Sequence, residues 1–305
     1  MQVENSEKKT KFGYIGVFGR ANAGKSTLVN SLVEADVSIV SPRPQTTRKR
    51  ILGIITRDVS QIVFCDTPGL HPVKNKLDSF MNSEIASVPD NICAGLYLID
   101  SFKPVLSEDS QYIDQLFSTR KVPLIGILTK TDLSKPPQLN EVLESVLGMK
   151  KFQTVLAISA LKTKGIGALW ETILPLVPEG PHCFPEDDYT TQTEREICEE
   201  IIRQEVLNRY FQEVPHSVAV TIEEFKERDS GKTFVSAVLN VEKEGHKKII
   251  IGKNGDNLKA LGVSAREKLN SQLGRDIYLE LWVKVRHNWR KSEDWIRKLG
   301  YVNAH

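Results

Sequence analysis

The chain has 305 residues and a formal net charge of +2, from 41 lysines and arginines against 39 aspartates and glutamates. Hydrophobic residues make up 40% and charged residues 26%, a composition that supports packed cores. It excludes a disordered chain, a collagen and a small disulfide-stapled domain. The length predicts about two domains. The cysteines are scattered without a C-x-x-C pair, which favours a reducing compartment and argues against a zinc site.

The near-neutral total conceals segments of opposite charge. Residues 181–240 hold 6 basic against 13 acidic side chains, a net charge of −7. Residues 241–305 hold 14 basic against 8 acidic side chains, a net charge of +6. The basic segment is a candidate for contact with phosphate groups, and a solvated protein face is the alternative.

The sequence shows no signal peptide and no membrane-spanning segment. Residues 1–11 are polar, and no apolar run approaches the length needed to cross a bilayer. We therefore expect a cytoplasmic protein. Peripheral contact with the inner face of the cell membrane stays open.

The first half of the chain alternates short apolar runs with longer amphipathic stretches. The runs, which we predict as strands, are residues 14–18, 51–55, 62–65, 94–99, 123–128 and 154–158. The predicted helices are residues 26–34, 78–87, 108–118, 139–146 and 166–177. This alternation predicts an α/β fold with a doubly wound, mostly parallel sheet covered on both faces. Such sheets bind ligands at the carboxyl ends of their strands.

A glycine-rich loop follows the first predicted strand and opens the first predicted helix. Residues 19–26 read GRANAGKS and fit the P-loop pattern G-x-x-x-x-G-K-[ST]. In that pattern the backbone N–H groups and the helix N-terminus surround phosphates. Lys25 would reach the β- and γ-phosphates, and the Ser26 hydroxyl would bind Mg²⁺. A glycine turn with an incidental lysine is the alternative, which the flanking strand and helix disfavour.

Two further segments suit the metal and the γ-phosphate. Asp66 and Gly69 belong to a D-x-x-G segment at the end of a strand, where the carboxylate holds Mg²⁺ and the Gly69 N–H senses the γ-phosphate. Residues 41–48 form a proline-containing loop, in which we favour Thr47 as a further Mg²⁺ ligand, with Thr46 as the close alternative. An ordinary turn and an ordinary surface loop are the competing interpretations.

The segment Thr129-Lys-Thr-Asp132 follows the fifth apolar run. Asp132 can accept from the N1–H and the amino group of guanine, which adenine does not offer, so it predicts selection of GTP over ATP. The Lys130 stem can cover the base plane, and backbone N–H groups after Ser159 can bind guanine O6. A P-loop ATPase or kinase is the alternative, and it would show no Asp132-dependent preference.

The clearest boundary lies at residues 178–189, which combine three prolines, a glycine and an acidic cluster. We predict a linker there. Beyond it, the patterns predict helices at residues 194–210, 247–251, 256–273 and 288–299, and strands at residues 214–225, 233–241 and 276–285. The order αββααβ, followed by a last helix, predicts a smaller α+β domain.

Residues 252–255 read GKNG, between two predicted helices and inside the basic segment. A G-x-x-G loop lets the backbone approach a nucleic-acid backbone closely, and a lysine within it meets phosphate. The alternative is a simple helix–helix turn. The residues expected to contact RNA are Ile251, Gly252, Lys253, Asn254, Gly255, Lys284, Arg286 and Arg290. Trp282, Trp289 and Trp295 could stack on bases, but we expect Trp282 and Trp295 to pack in a core or against a partner.

These motifs resemble those of the Era family of bacterial ribosome-assembly GTPases. The shared segments are GRANAGKST at 19–27, QTTR at 45–48, DTPGL at 66–70, TKTD at 129–132 and SAL at 159–161. The resemblance implies a Ras-like P-loop GTPase domain at 1–178, a linker at 179–190 and a type II KH domain with a C-terminal helix at 191–305. It also implies Mg²⁺ as cofactor, a monomer, and binding to small-subunit ribosomal RNA near its 3′ end during subunit assembly.

The motifs and the resemblance together assign the site residues. Nucleotide binding is expected at Gly19, Arg20, Ala21, Asn22, Ala23, Gly24, Lys25, Ser26, Thr27, Asp66, Thr67, Pro68, Gly69, Leu70, Thr129, Lys130, Thr131, Asp132, Ser159, Ala160 and Leu161. The expected metal ligands are Ser26, Thr47 and Asp66, and the expected catalytic residues are Asn22, Lys25, Thr47, Asp66 and Gly69.

Three positions depart from the family pattern: Ala21 replaces a proline, Ala23 a valine and Thr129 an asparagine. Threonine lacks the amide that braces the base site, so we expect a lower affinity for guanine nucleotides or a lower selectivity for guanine.

The residues after the D-x-x-G segment predict slow intrinsic hydrolysis. Ras-type enzymes orient the attacking water with a glutamine there, whereas this chain has Leu70 followed by His71. In related GTPases an asparagine at the Asn22 position helps to hold a monovalent cation. The resemblance therefore suggests that K⁺ accelerates hydrolysis through Asn22, although Asn22 could instead only shape the loop.

The alternative to an RNA-binding GTPase is a GTPase whose KH-like domain docks a protein.

Overall fold

The computed structural model describes residues 9–118, 120–228 and 231–302. The polar start predicted at residues 1–11 therefore lies mostly outside the described residues. The chain forms two compact units. The first unit contains residues up to 38, 47–71 and 84–191, and the second contains Ile39–Thr46, Pro72–Ser83 and the chain from Gln192 onward.

A six-stranded sheet forms the centre of the first unit, in the order β2-β3-β1-β4-β5-β6. Strand β2 runs antiparallel to β3, and the other neighbours are parallel. The strands are β1 Lys11–Gly19, β2 Ile51–Arg57, β3 Ser60–Asp66, β4 Ala94–Asp100, β5 Leu124–Thr129 and β6 Thr154–Ala157. The helices in the first half of the chain are α1 Lys25–Val33, α2 Lys76–Ala86, α3 Ser107–Phe117, α4 Pro136–Gly148 and α5 Ile166–Ile173, of which α2 belongs mostly to the second unit. Every predicted strand and helix of this half is present, so the predicted mostly parallel sheet is confirmed.

Both faces of this sheet are covered by apolar side chains. Strands β3 and β4 are buried along their whole length, which explains their nearly continuous apolar sequences. One core contains Ile15 and Leu96 with α1 and α5, and the other contains Tyr97 with α3 and α4. The helices therefore lie on both sides of the sheet and leave the carboxyl ends of the strands for the site.

The predicted linker contains neither a helix nor a strand, as its composition indicated. It is nevertheless attached along the first unit. The Gly180 N–H donates to the Thr10 carbonyl at 3.0 Å, and the Ile54 N–H donates to the Tyr189 carbonyl at 2.9 Å. The buried Gln61 side chain binds the backbone of Cys183 and Phe184. This segment is therefore a fastened extension of the first unit rather than a free tether.

The second unit contains a three-stranded sheet in the order β7-β8-β9, with β7 antiparallel and β9 parallel to β8. Its elements are α6 Glu194–Arg209, β7 Ala219–Glu227, β8 Thr233–Val241, α7 Glu244–Ile251, α8 Asp256–Leu273, β9 Ile277–Val285 and α9 Glu293–Lys298. One side of the sheet packs against α6, α7 and α8 in a single core. The predicted order αββααβ followed by a helix is therefore present.

Two predicted boundaries in this unit are wrong. The strand predicted from residue 214 begins at Ala219, because Pro215–Ser217 forms a 3₁₀ helix. The helix predicted over residues 288–299 is divided into a 3₁₀ helix, Trp289–Lys291, and α9. Ser292 has an extended backbone between them, and its hydroxyl accepts from the Trp295 N–H as the cap of α9.

The early segments of the second unit pack against its C-terminal end. Leu77, Phe80 and Met81 of α2 belong to one apolar cluster with Trp289 and Tyr301. Trp289 is completely buried, its ring stacks on Tyr301, and its indole N–H donates to the Ser217 carbonyl at 2.8 Å. Trp282, in contrast, is 54% exposed, so it does not pack in the core, and its packing against a partner stays a prediction.

Within the described residues, no helix combines the length and the apolar character that crossing a membrane would require.

We expect Trp289→Ala to destabilise the second unit by about 4 kcal/mol, because it removes a fully buried indole and its hydrogen bond. Thermal unfolding followed by near-ultraviolet circular dichroism measures the loss. The control is Trp282→Ala, which should change stability by less than about 0.5 kcal/mol because its ring is half exposed. Equal losses for the two variants would contradict the packing described here.

Candidate functional sites

The P-loop turns tightly from the end of β1 into α1. Gly19 has φ +138°, and a side chain there would lie 2.5 Å from the Leu98 carbonyl oxygen. Gly24 and Asn22 also have positive φ, of +89° and +63°. Such left-handed backbone is best tolerated by glycine and asparagine, which explains the local sequence. The remaining predicted residues of the loop, Arg20, Ala21, Ala23, Ser26 and Thr27, lie on the same turn and the first turn of α1.

Lys25 is buried beneath this loop. Its ammonium donates to the carbonyls of Gly19 and Arg20, at 3.1 Å each. Burial lowers the pKa of Lys25 to about 8, against the opposing influence of Asp66. A cation held in this way is stabilised by any anion that binds in the loop.

Three oxygen-bearing side chains meet beside Lys25. The Ser26 hydroxyl donates to Asp66 Oδ2 at 2.7 Å and lies 2.8 Å from Thr47 Oγ1. Asp66 is completely buried, burial raises its pKa, and its Oδ1 has no hydrogen-bond partner among the described residues. A buried carboxylate oxygen without a donor, next to two hydroxyls, suits a hard divalent cation such as Mg²⁺.

The two candidate threonines of the loop have different positions. Thr47 lies in the cluster with Ser26 and Asp66, whereas the Thr46 hydroxyl donates to the Arg43 carbonyl at 2.6 Å. The geometry therefore favours Thr47 over Thr46 as the metal ligand.

The D-x-x-G segment lies directly against the P-loop. A side chain on Gly69 would come within 2.5 Å of Ala21 Cα, so the position admits no larger residue without movement. The Thr67 hydroxyl donates to the Val17 carbonyl at 2.7 Å, and the Leu70 N–H donates to the Gly19 carbonyl at 3.2 Å. Pro68 is buried between them. The backbone of this segment is therefore positioned by the loop that surrounds the phosphates.

The predicted base-reading residues lie at the ends of β5 and β6. Ser159 donates to Asp132 Oδ1 at 2.6 Å, which orients the carboxylate and lowers its pKa. The Lys130 ammonium pairs with Asp100 at 2.8 Å. The Thr131 N–H donates to the Ile158 carbonyl, and Ala160 and Leu161 open a short 3₁₀ helix, whose first N–H groups have no partner within that helix.

Thr129 has a role that its sequence did not suggest. Its hydroxyl donates to the Ala23 carbonyl at 2.7 Å, so it connects the base-reading segment to the P-loop. Threonine lacks the side-chain amide of asparagine, but its hydroxyl supplies one hydrogen bond between the base-reading segment and the P-loop.

Sequence reasoning also missed two acidic partners. Asp100 holds Lys130, and the buried Asp109 binds the Arg20 guanidinium at 3.1 Å and the Tyr97 hydroxyl at 2.9 Å. Asp109 lies 89 positions after Arg20 in the chain, and no local pattern signals such a pair.

The G-x-x-G loop connects α7 to α8. Gly252 and Gly255 have φ of +75° and +83°, and Asn254 is also left-handed. Lys253 and Asn254 are exposed, whereas the neighbouring Ile251 packs on the core. An exposed lysine on a loop of left-handed backbone, next to a helix start, suits a phosphate backbone.

The three predicted cations beyond this loop have partners within the second unit. Lys284 pairs with Glu223 at 2.8 Å, and Arg290 pairs with the buried Glu242 at 2.5 Å. The Arg286 guanidinium stacks on Trp295, with 4.6 Å to the ring centroid. Their contact with RNA stays a prediction.

Two family models match separate parts of the chain. Residues 14–130 match the family model described as 50S ribosome-binding GTPase, and residues 213–290 match the KH domain model. GTPase Era of Carboxydothermus hydrogenoformans is 40% identical over 96% of this chain and 98% of its own length. GTPase Era of Lactobacillus helveticus is 39% identical over 97% of each chain.

Two solved structures are similar over nearly the whole chain. One is Era in complex with MgGDPNP and nucleotides 1506–1542 of 16S ribosomal RNA, with a TM-score of 0.92 and 34% identity over 96% of this chain and 100% of that one. The other is a variant of Aquifex aeolicus Era bound to GDP and AlF₄⁻, with the same TM-score, identity and coverage. With its P-loop, base-reading segment and KH domain in this order, the chain belongs to the Era family of GTPases.

Proposed function

We propose that this GTPase is a switch that binds small-subunit ribosomal RNA near its 3′ end and assists small-subunit assembly. The observation that carries the proposal is the presence in one chain of the Lys25–Asp66 site and an exposed G-x-x-G loop. A related Era structure contains both MgGDPNP and a 16S RNA segment. The chain would work as a cytoplasmic monomer, with a GTPase domain at 1–178, a linker at 179–190 and an RNA-binding domain from 191.

In this function the P-loop N–H groups and Lys25 bind the phosphates of GTP. Ser26, Thr47 and Asp66 hold Mg²⁺, which neutralises charge on the phosphates when it is bound. Asp132, oriented by Ser159, reads guanine. The hydroxyl of Thr129 supports the loop from the base side.

Hydrolysis in this function is slow without a partner. Leu70 follows Gly69 and cannot polarise a water molecule, and His71 is turned toward the Gly69 carbonyl at 2.6 Å. A monovalent cation would supply the missing positive charge. Asn22 has a left-handed backbone within the P-loop, and we assign K⁺ to that residue.

On the RNA side, Lys253 and the backbone between Gly252 and Gly255 would meet the RNA backbone, beside Ile251 and Asn254. Lys284, Arg286 and Arg290 would contact RNA only by exchanging their present partners, so we expect them to contribute less than Lys253.

The pKa of Lys25 leads to a first test of phosphate binding. In the free protein at pH 8.5 most of the Lys25 amines are neutral, since its pKa is about 8. Bound phosphate favours the ammonium, so binding of MgGDP should take up roughly 0.7 proton at pH 8.5 and much less at pH 7.0. GDP affinity should accordingly fall as the pH rises through 8. Calorimetry in two buffers of different ionisation heat measures the uptake.

The control for this measurement is Lys25→Arg, in which the cation stays charged at both pH values and takes up no proton. The same uptake at the two pH values, or the same uptake by the variant, would contradict contact between Lys25 and phosphate.

The RNA assignment is tested by changing Lys253 and Asn254 together to Asp. We expect affinity for an RNA of the 16S segment 1506–1542 to fall about 100-fold, because two carboxylates replace the phosphate-facing groups. The salt dependence of binding should become less steep, and GTP binding should be unchanged.

The matched control changes Lys226 and Lys232 to Asp, a larger change in charge on the β7–β8 hairpin. This variant should keep most of its RNA affinity. If it loses as much as the loop variant, or if the loop variant loses nothing, the domain docks some other partner and the RNA assignment is wrong.

The cation hypothesis predicts that GTP turnover is at least about tenfold faster in KCl than in NaCl at equal ionic strength, because K⁺ stabilises transition-state charge. Asn22→Ala should abolish the difference while MgGDP binding persists. Release of inorganic phosphate measures the rates, and equal rates for the unmodified protein in the two salts would refute the role of Asn22.

A further inference from the structure

Helix α6 of the RNA-binding half holds the segment that leads to Thr47. Gln204 of α6 donates to the Val40 carbonyl at 2.9 Å, and Arg203 donates to the Thr46 carbonyl. Both acceptors belong to Ile39–Thr46, which is part of the second unit. Arg43 of the same segment lies over the Phe211 ring, 4.8 Å from its centroid.

Arg203 is the buried member of these contacts. It is 1% exposed, and its Nε donates to Glu200 Oε1 at 3.0 Å, while its Nη2 donates both to Glu200 and to the Thr46 carbonyl. A buried guanidinium depends on its partners for stability, and here Nε and Nη2 supply the contacts while Nη1 has no hydrogen-bond partner among the described residues. Its planar fork binds Glu200 through Nε and Nη2, and this fixes the direction from which Nη2 reaches the Thr46 carbonyl.

The end of this segment has little freedom of its own. The Thr46 hydroxyl closes a turn by donating to the Arg43 carbonyl, and Gln45 inside that turn has φ +59°. The Gln45 amide also donates to the buried Asp78 at 3.0 Å. The next residue is Thr47, with its hydroxyl 2.8 Å from Ser26 Oγ. Thr47 thus directly follows a residue whose carbonyl is held by Arg203.

We propose that Arg203 is a positioning residue for the GTPase reaction. By holding the Thr46 carbonyl, it places the Thr47 hydroxyl where Mg²⁺ and the γ-phosphate require it. Arg203 therefore acts through the backbone of Thr46 and does not touch the nucleotide. This inference rests on the proposed role of Thr47 as a metal ligand.

The position of Arg203 predicts which steps depend on it. Thr47 serves the triphosphate state, so Arg203 should affect turnover and its Mg²⁺ requirement rather than binding of GDP. A shift of about 1 Å in a positioned group lowers the rate about 100-fold, so partial loss of position should lower turnover at least about tenfold.

The experiment compares Arg203→Met and Arg203→Lys with the unmodified full chain. We expect kcat for GTP to fall at least about tenfold in Arg203→Met, and the Mg²⁺ concentration for half-maximal turnover to rise. The GDP Kd should stay within about twofold, because Thr47 serves the triphosphate state. Arg203→Lys keeps a charge but loses the fork, so its kcat should be intermediate. The matched control is Arg209→Met on the same helix, which removes contacts to Ala260 and Ser264 and should leave kcat unchanged.

Folding of each variant is checked by its melting curve and by its affinity for the 16S segment RNA. If Arg203→Met does not fold, kcat for GTP is measured in Arg203→Lys and Gln204→Ala instead. We expect it to be lowered in both. Unchanged kcat and Mg²⁺ requirement in the folded variants would overturn the proposal, even if stability or RNA affinity falls.

Thr47→Ala separates this inference from the proposed function. If Thr47→Ala has a normal Mg²⁺ requirement, the assignment of Thr47 as a ligand has failed. If Thr47→Ala raises the requirement and the Arg203 variants do not, the ligand assignment stands and the role of Arg203 is wrong.

Discussion

The buried carboxylate of Asp66 is the charge around which the nucleotide site is organised. It lies at the end of the fully buried strand β3, where solvent cannot stabilise it, and Lys25 is the nearby cation. Burial raises the pKa of Asp66 and lowers that of Lys25, because desolvation disfavours the charged form of each group. Mg²⁺ at Asp66 and phosphate at Lys25 would each stabilise the neighbouring buried charge. Binding of the metal and binding of the nucleotide would therefore depend on each other.

Two of the boundaries between the units fall close to this cluster in the sequence. Thr47 and Gly69 belong to the first unit, whereas the segments next to them in the chain, Ile39–Thr46 and Pro72–Ser83, belong to the second. In Pro72–Ser83, side chains of α2 pack in an apolar cluster with Trp289 and Tyr301. Packed clusters of this kind change between discrete arrangements rather than deforming continuously.

Local sequence patterns were sufficient for the sheet, the helices and most of the nucleotide site. Buried parallel strands are apolar throughout, and the P-loop needs particular residues at fixed spacing. Both features can therefore be recognised from a contiguous stretch of sequence. The brace from Thr129 to Ala23 was not predictable in this way, because it joins residues 106 positions apart. The cap at Ser292, which divides the last helix, depends on one side-chain hydrogen bond.

The assignment of the tryptophans shows the same limit. Trp282 and Trp289 are seven positions apart in similar basic sequence, yet one is half exposed and the other completely buried. The difference arises from α2 and the 3₁₀ helix Pro215–Ser217, which contribute the apolar cluster and the hydrogen-bond acceptor for Trp289. No pattern within residues 282–289 contains that information.

The distribution of paired cations shows where RNA affinity can arise. Although the C-terminal segment has a net charge of +6, Arg290 is neutralised by Glu242 and Lys284 by Glu223. Within the part of the chain that the structure describes, no ion pair involves Lys253, and its ammonium can release counterions from RNA without first breaking a protein contact. The charge of Lys253 lies on the G-x-x-G loop, where backbone N–H groups add contacts that depend on the path of the RNA strand. A loop of this kind orients a single strand more than it attracts nucleic acid in general, which suits recognition of one defined RNA segment.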